Sequence, residues 1–108
     1  MHNCLFCKII ANEIPCKKVF ENSNFLAFHD MHPKAKVHIL IIPKKHIESL
    51  AHLKVEDTLL MGELTLLLQN LARELNLTNG FKTQIHTGEG GGQEVFHLHY
   101  HLLGTPSL

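Results

Sequence analysis

The chain has 108 residues, 44% of them hydrophobic, and its ten Lys and Arg residues balance ten Asp and Glu. This length predicts one domain over residues 1–108, and the formal net charge of zero excludes the strongly basic surface typical of nucleic-acid or membrane binders. No apolar run approaches the roughly 18 residues of a membrane span, and residues 1–5 lack the basic start of a signal peptide. We therefore expect a cytoplasmic protein.

The first half of the chain predicts a short helix and three strands. Leu5, Ile9 and Ile10 have the spacing of an amphipathic helix, which must end before Pro15. The turn-rich triplet at 22–24 lies between two apolar segments and predicts a hairpin. Strands are expected at Lys18–Glu21 and Phe25–His29, and a β-branched run at 37–42 predicts a central strand.

The second half predicts one long helix followed by two strands. Leucines recur every three or four positions up to Leu75, and acidic residues precede them, so we expect a helix over 56–75. Strands are expected over 81–85 and 97–103. The prediction is an α+β domain with about five antiparallel strands, one long helix and one or two short helices. Leu59 and Leu66 widen the leucine stripe, which favours a homodimer.

Three histidines at a spacing of two carry the main functional signal. In a strand, His97, His99 and His101 project from one face, while the apolar residues between them project from the other. Convergent imidazoles can act as nucleophile, proton donor or metal ligand. A strand edge with solvated histidines is the alternative, but their register favours a functional site.

A glycine-rich segment at 88–92 precedes these histidines. Glycines let backbone amides turn towards a phosphate, which suits a chain without net positive charge. Most such runs are simply flexible hairpin loops. The adjacent histidines favour the phosphate-binding interpretation.

The cysteines indicate a zinc site or a redox pair. Three cysteines, an odd number, argue for reduced thiols rather than a disulfide framework. Cys4 and Cys7 form a C-x-x-C pair, whereas Cys16 stands alone. No βαβ pattern supports a redox dithiol, which favours zinc. Ten histidines can supply two further ligands, and the residues alone leave open which two.

Residues 97–103 resemble the H-φ-H-φ-H-φ-φ signature of the histidine triad superfamily, in which φ is apolar. Residues 91–96, Gly-Gly-Gln-Glu-Val-Phe, are similar to its Hint branch. Segments at 9–15, 26–30 and 38–46 are similar to Hint segments in the same order, so the resemblance covers nearly the whole chain. It implies the α+β fold of that superfamily and a nucleoside phosphoramidase activity.

The resemblance also implies roles for individual residues. His99 would be the nucleophile that attacks an α-phosphorus, with His101 on the phosphate oxygens and His97 completing the catalytic triad. Asp30 would accept hydrogen bonds from the ribose hydroxyls, although its position alone predicts only a turn. The other residues implied to bind nucleotide are Ile10, Phe28, His29 and Met31 near the base, Gly92, Gln93, Glu94 and Val95 near the phosphate, and His86.

The resemblance resolves the zinc ligands and marks one departure. Zinc-bearing members would bind a structural Zn²⁺ through the residues that match Cys4, Cys7, His46 and His97. His86 stands where the Hint branch typically has asparagine, near the scissile bond.

Three functions are compatible with these residues. The first is hydrolysis of purine nucleoside 5′-phosphoramidates at the P–N bond, or of aminoacyl-adenylates, through a nucleotidyl-histidine. The alternatives are a zinc-stabilised protein that only binds purine nucleotides or other partners, and a dinucleoside polyphosphate hydrolase. The predicted partners are a purine nucleotide and a second copy of the chain, with neither nucleic acid nor membrane. His38 is interpreted as an interior histidine whose hydrogen bonds are satisfied within the protein.

Overall fold

The computed structural model describes residues 3–107. Two α-helices and five strands form its regular structure: α1 (Leu5–Ile10), β1 (Lys18–Glu21), β2 (Phe25–His29), β3 (Val37–Pro43), α2 (Thr58–Glu74), β4 (Lys82–Gln84) and β5 (Tyr100–Gly104). Short 3₁₀ turns occur at Leu50–His52, Val55–Asp57 and Glu89–Gly91. The predicted α+β class is confirmed.

The strands form one antiparallel sheet in the order β1-β2-β3-β5-β4. The predicted hairpin joins β1 to β2, and the side chain of Asn22 closes it by accepting hydrogen bonds from the amides of Asn24 and Phe25 at 2.9 and 2.8 Å. The apolar strand β3 is central, as predicted. In its pairing with β5, Leu40 lies opposite His101, so these two side chains lie next to each other on the same face of the sheet.

Each face of the sheet is covered by one helix. Leu64 and Leu68 of α2 pack with Ile39 and Ile41 of β3 in the larger core. On the opposite face, Phe6 of α1 packs with neighbouring residues of β2 and β3 in a smaller core. Since α1 has only six residues, it covers that face partially, and a cavity lies beside it.

The leucine stripe of α2 is mostly core. Leu64, Leu68 and Leu71 are buried, whereas Leu59 and Leu66 remain 75% and 61% exposed. The stripe is thus wider than the sheet can cover, as its sequence predicts. No helix within residues 3–107 combines the length and the apolar character needed to cross a membrane.

The largest differences from the predicted boundaries are at the start of α2 and at the start of the last strand. A 3₁₀ turn over Val55–Asp57 replaces the expected first turn of α2. The last strand begins at Tyr100 rather than at position 97, because the Leu98 amide donates to the carbonyl of Ile47 at 2.7 Å instead of joining the sheet. The alternation survives this correction, since Leu98 still packs in the core beneath α2.

Candidate functional site

The three motif histidines lie on the sheet face that α1 covers. The Phe6 ring packs edge-on against His97 and His99, with centroids 5.9 and 5.1 Å apart. The rings of His99 and His101 are 5.0 Å apart. The period of two therefore aligns the imidazoles in one row, although only His101 belongs to a strand.

A backbone contact fixes the tautomer of His99. Its Nδ1 lies 2.7 Å from the carbonyl oxygen of His97, and because a carbonyl only accepts, Nδ1 must carry the proton. The neutral ring then has its lone pair on Nε2. Burial lowers the pKa of His99, which favours this neutral form.

A second backbone contact fixes His38 and, through it, His101. The Lys34 amide donates to Nδ1 of His38 at 3.1 Å, so the neutral His38 ring carries its proton on Nε2. That Nε2 lies 3.0 Å from Nδ1 of His101. His101 accepts there, which leaves its own proton on Nε2. Among residues 3–107, this buried Nε2 has no hydrogen-bond partner, so a donor is available to a ligand.

Burial and mutual repulsion hold both rings neutral. Burial, together with the adjacent rings of His99, His38 and His86, lowers the pKa of His101 to about 4. Burial also lowers the pKa of His38, against the opposing influence of Asp30. At pH 7 the site therefore presents neutral imidazoles with defined donors and acceptors.

Asp30, just after β2, uses its two carboxylate oxygens differently. Oδ1 accepts from the His32 amide at 2.7 Å, which is the turn contact that its position predicts. Oδ2 lies 3.5 Å from Nε2 of His38. Oδ1 is therefore used in the turn, whereas Oδ2 lies beside His38.

The glycine segment uses several of its amides to close its own loop. The amides of Gly91 and Gln93 donate to the Gly88 carbonyl, and the Gly92 amide donates to Glu89. These amides stabilise the loop itself and do not surround a phosphate. By contrast, the amides of Glu94 and Val95 find no acceptor within residues 3–107. The Gly90 amide likewise has no acceptor there, so free backbone donors lie both among the glycines and after them.

The Gln93 side chain braces this loop. Its Oε1 accepts from the Gly88 amide at 2.8 Å, and its Nε2 donates to the carbonyls of Glu48 and Val95 at 2.7 and 3.0 Å. Positive φ values of 71° at Gly88 and 83° at Gly92 allow the tight loop that these contacts close. Gln93 is 5% exposed, so its side chain stabilises the loop from the protein interior.

A cavity of about 1030 Å³ lies between α1, the sheet and this loop. Ten of the twelve predicted nucleotide-binding residues line it: Phe28, His29, Asp30, Met31, His86, Gly92, Glu94, Val95, His99 and His101. The two exceptions are Gln93, which braces the loop, and Ile10, whose neighbour Ile9 lines the cavity instead.

The four predicted zinc ligands come from three separated parts of the chain and meet beside the cavity. Cys4 is the N-cap of α1, where its Sγ accepts from the Cys7 amide at 3.3 Å. Ligand atoms of Cys4 and His97 are 3.4 Å apart, those of Cys7 and His46 are 3.3 Å apart, and the two Nδ1 atoms are 3.2 Å apart. Helix capping therefore places the C-x-x-C sulfurs towards the two imidazoles.

The donor set fits a tetrahedral zinc ion. Bonds of 2.0–2.1 Å to nitrogen and 2.3 Å to sulfur would separate ligand atoms by about 3.3 to 3.8 Å. Nε2 of His97 lies 2.8 Å from the Pro43 carbonyl, so Nδ1 directs its lone pair towards the thiols. Burial lowers the pKa of His97 to about 4, while burial and the Cys4 thiol raise the pKa of Cys7 to about 11. Zinc would displace the thiol protons on binding.

Sequence reasoning gave His38 and Phe6 no part in the site. His38 is interior, as interpreted, but its partner is the last motif histidine. The available signal was its position in β3, since residues 38 and 40 share a face and Leu40 pairs with His101. Phe6 gave no signal, because an aromatic residue on a short helix is usually core.

The sheet order and histidine motif recur in known proteins. The family profile described as "Scavenger mRNA decapping enzyme C-term binding" matches residues 3–107. The protein HitA of Neisseria gonorrhoeae is 52% identical over 106 residues, which are 98% of this chain and 99% of HitA.

Solved structures with the same fold are also similar to this chain in sequence. A HIT family hydrolase from Legionella pneumophila Philadelphia 1 superposes with a TM-score of 0.94 and 44% identity, covering 97% of this chain and 95% of that one. A histidine triad nucleotide-binding protein from Candida albicans superposes with a TM-score of 0.85 and 32% identity, covering 97% of this chain and 76% of that one. The chain belongs to the histidine triad (HIT) family.

Proposed function

We propose that this protein hydrolyses purine nucleoside 5′-phosphoramidates at the P–N bond, or aminoacyl-adenylates at the P–O bond of their acyl phosphate, through a nucleotidyl intermediate on His99. One observation carries the proposal: the 2.7 Å contact from Nδ1 of His99 to the His97 carbonyl, which leaves Nε2 as a neutral nucleophile at the cavity. A protein that only binds nucleotides has no need of such a group. The similar Legionella protein is called a hydrolase and the similar Candida protein a nucleotide-binding protein, which supports hydrolysis at a nucleotide site.

In the first step, Nε2 of His99 attacks the α-phosphorus, and the amine departs. Charge that develops on the phosphate oxygens is met by Nε2–H of His101 and by the amides of Glu94 and Val95. Water then attacks the nucleotidyl-histidine and releases the nucleoside monophosphate. The buried contacts that fix His99 and His101 keep both rings oriented through the two displacements.

The nucleoside binds along the other part of the cavity. Oδ2 of Asp30 accepts hydrogen bonds from the ribose hydroxyls, and its turn contact through Oδ1 holds the carboxylate in place. Phe28, His29 and Met31 form the base pocket; Met31 is 87% exposed, so a purine would cover it. A cavity of about 1030 Å³ is at the upper end for small-molecule sites and accommodates a nucleotide with its leaving group.

Cys4, Cys7, His46 and His97 would hold a structural zinc ion. With four protein ligands the site is closed, so zinc would stabilise the fold and take no substrate. It would fix α1, whose Phe6 ring packs against His99. The thiols must be reduced for this role, which supports residence in a reducing compartment such as the cytoplasm.

The exposed side of α2 supports a two-fold homodimer. Leu59 and Leu66 are exposed there, and Phe81 is 44% exposed beside the edge strand β4. An unpaired edge next to apolar side chains is suited to association with a second copy. Sedimentation at micromolar concentration should give twice the chain mass, and a monomer would contradict this part of the proposal.

The decisive experiment combines a substrate panel with trapping of the intermediate. Adenosine and guanosine 5′-phosphoramidates, an aminoacyl-adenylate and a dinucleoside tetraphosphate are incubated with the protein, and products are followed by chromatography. Rapid quench with α-labelled phosphoramidate should trap label on His99. His99→Asn should lower kcat at least about 10³-fold and still bind AMP.

The matched control is His52→Asn, an exposed histidine outside the cavity, which should keep wild-type turnover. Near-normal turnover by His99→Asn would contradict the covalent mechanism. Turnover of the dinucleoside tetraphosphate alone would replace phosphoramidates as the substrate class, and nucleotide binding without any turnover would establish a binding protein.

A further inference from the structure

His86 is an additional imidazole in the catalytic part of the cavity. It follows β4, lines the cavity and is half-buried. Its ring centroid lies 5.0 Å from that of His101, at an interplanar angle of 39°. Within residues 3–107, no side-chain hydrogen bond restrains it. Unlike the fixed rings of His38 and His101, it is free to present either nitrogen.

The buried imidazoles cannot supply a proton to a departing amine. The pKa of His101 is lowered to about 4 and that of His38 is also lowered, so neither ring carries an extra proton at pH 7. A neutral imidazole N–H stabilises a phosphate oxygen by hydrogen bonding but is a very weak acid. Expulsion of an alkylamine needs a stronger one, since an amide anion is a poor leaving group. The site therefore lacks an acid unless a less buried group provides it.

We propose that His86, in its protonated form, is the catalytic acid that protonates the leaving group. The proposal rests on the phosphoramidase function above and deepens it by assigning the proton. Histidine is the side chain that most readily exchanges a proton near neutral pH. The position of His86 beside His101 places this acid next to the group that binds the phosphate.

The step balances as follows. As the bond from Nε2 of His99 to phosphorus forms, the P–N bond breaks and its electron pair stays on the amine nitrogen. That nitrogen takes the proton of His86, so a neutral amine leaves and His86 becomes neutral. In the second displacement, His86 accepts a proton from the attacking water while oxygen bonds to phosphorus and the His99–phosphorus bond breaks. Both residues return to their starting states.

The charged and titratable groups around His86 are consistent with this cycle. His101 of β5 and His99 before it face the ring, and a positive His86 lowers the pKa of both, which keeps them neutral while His86 is the acid. Asp30 and Glu94 line the same cavity and bring negative charge. The cavity lysines, Lys17, Lys34 and Lys36, come from segments next to His29 and Asp30.

The test compares two leaving groups in wild-type protein, His86→Asn and His86→Gln. Adenosine 5′-phosphoro-propylamidate needs a proton to release its amine, whereas the 4-nitrophenyl ester of AMP releases a stable anion. For the amidate, we expect kcat/KM to fall about 10² to 10⁴-fold in both variants, the usual contribution of a general acid. For the ester, it should change less than about threefold. His52→Asn is the control, and AMP affinity reports an intact site.

A pH profile provides an independent readout on the amidate alone. For the wild type, kcat/KM should fall as pH rises, because release of the amine requires a protonated acid, and this alkaline limb should be absent in His86→Asn. An equal loss on both substrates, an unchanged rate on the amidate, or a retained alkaline limb would overturn the role of His86 while leaving the phosphoramidase intact. No turnover by the wild type would overturn the proposed function and this inference with it.

Discussion

Two groups of imidazoles lie close together in this protein, and backbone groups fix the protonated nitrogen of His97 and of His38 in opposite ways. In the proposed metal cluster, Cys4, Cys7, His46 and His97, the Pro43 carbonyl accepts a hydrogen bond from Nε2–H of His97, so the Nδ1 lone pair points inward. In the catalytic cluster, His38, His99 and His101, the Lys34 amide donates to His38 and leaves a proton on the inward nitrogen.

The comparison shows that proximity alone does not define a metal site. Asp30, His38 and His101 also bring three ligand atoms within 4.8 Å of one another. A cation there would meet the Nε2 proton of His38, whereas the metal cluster offers two thiols and imidazole lone pairs. The tautomer of His38, which the Lys34 amide sets, distinguishes this group of three residues from the metal cluster.

Loss of one thiol should have the largest effect on zinc content and stability. It should disrupt the metal cluster without changing the residues of the catalytic cluster. Cys4→Ser keeps the N-cap, because a serine oxygen also accepts from the Cys7 amide. We expect zinc to fall from about one per chain to below about 0.1, and Tm to fall by about 10 °C or more. Metal analysis and thermal unfolding measure both. Cys16→Ser, outside the cluster, should retain zinc, and full zinc in Cys4→Ser would refute this ligand set.

Removal of the His38 donor should affect the catalytic cluster alone. In His38→Leu, Nδ1 of His101 loses its donor, and its proton can move away from the cavity nitrogen. We expect kcat to fall about 10 to 100-fold with zinc content unchanged. His38→Gln retains an N–H near the same position and should recover most of the rate. Equal rates for both variants would show that His38 does not position His101.

The carboxylate of Asp30 is a further difference between the clusters. Asp30→Asn retains an oxygen for the His32 amide, so the turn should survive. We expect AMP affinity to fall about tenfold, because a charged acceptor for the ribose is lost. Calorimetry with 2′,3′-dideoxy-AMP is the control, since its affinity should change little. A similar loss for both nucleotides would assign Asp30 to the turn alone.

The smallest expected effect is on stability at acid pH. The folded pKa of His101 is about 4, below its ordinary value of 6.5, so the unfolded chain binds more protons between these values. The contribution of His101 to the free energy of unfolding is therefore fully present above pH 6.5 and is lost as pH falls towards 4. Between pH 7.5 and 5.0, Tm should fall by about 4 °C or more. His101→Gln should show a smaller fall, and an equal one would contradict the origin assigned here.

The sequence by itself determined the elements and their order. Hydrophobic periodicity predicted β1 and β2 with the boundaries that the structure has. The leucine spacing predicted each end of α2 to within two residues. The motif spacing put the three imidazoles on one side because alternation is a local property of extended backbone. The C-x-x-C pair likewise indicated zinc from local chemistry alone.

Only the tertiary structure decided which groups meet and which nitrogens carry protons. The partners that set the tautomers of His97 and His38 are backbone groups of other positions, Pro43 and Lys34, and no side-chain pattern reports them. The same holds for the glycine loop, where the amides of Gly91, Gly92 and Gln93 donate to carbonyls of the loop itself. Burial of His101 beneath His38 and beside His86 likewise depends on contacts between segments distant in sequence, because long-range packing determines desolvation.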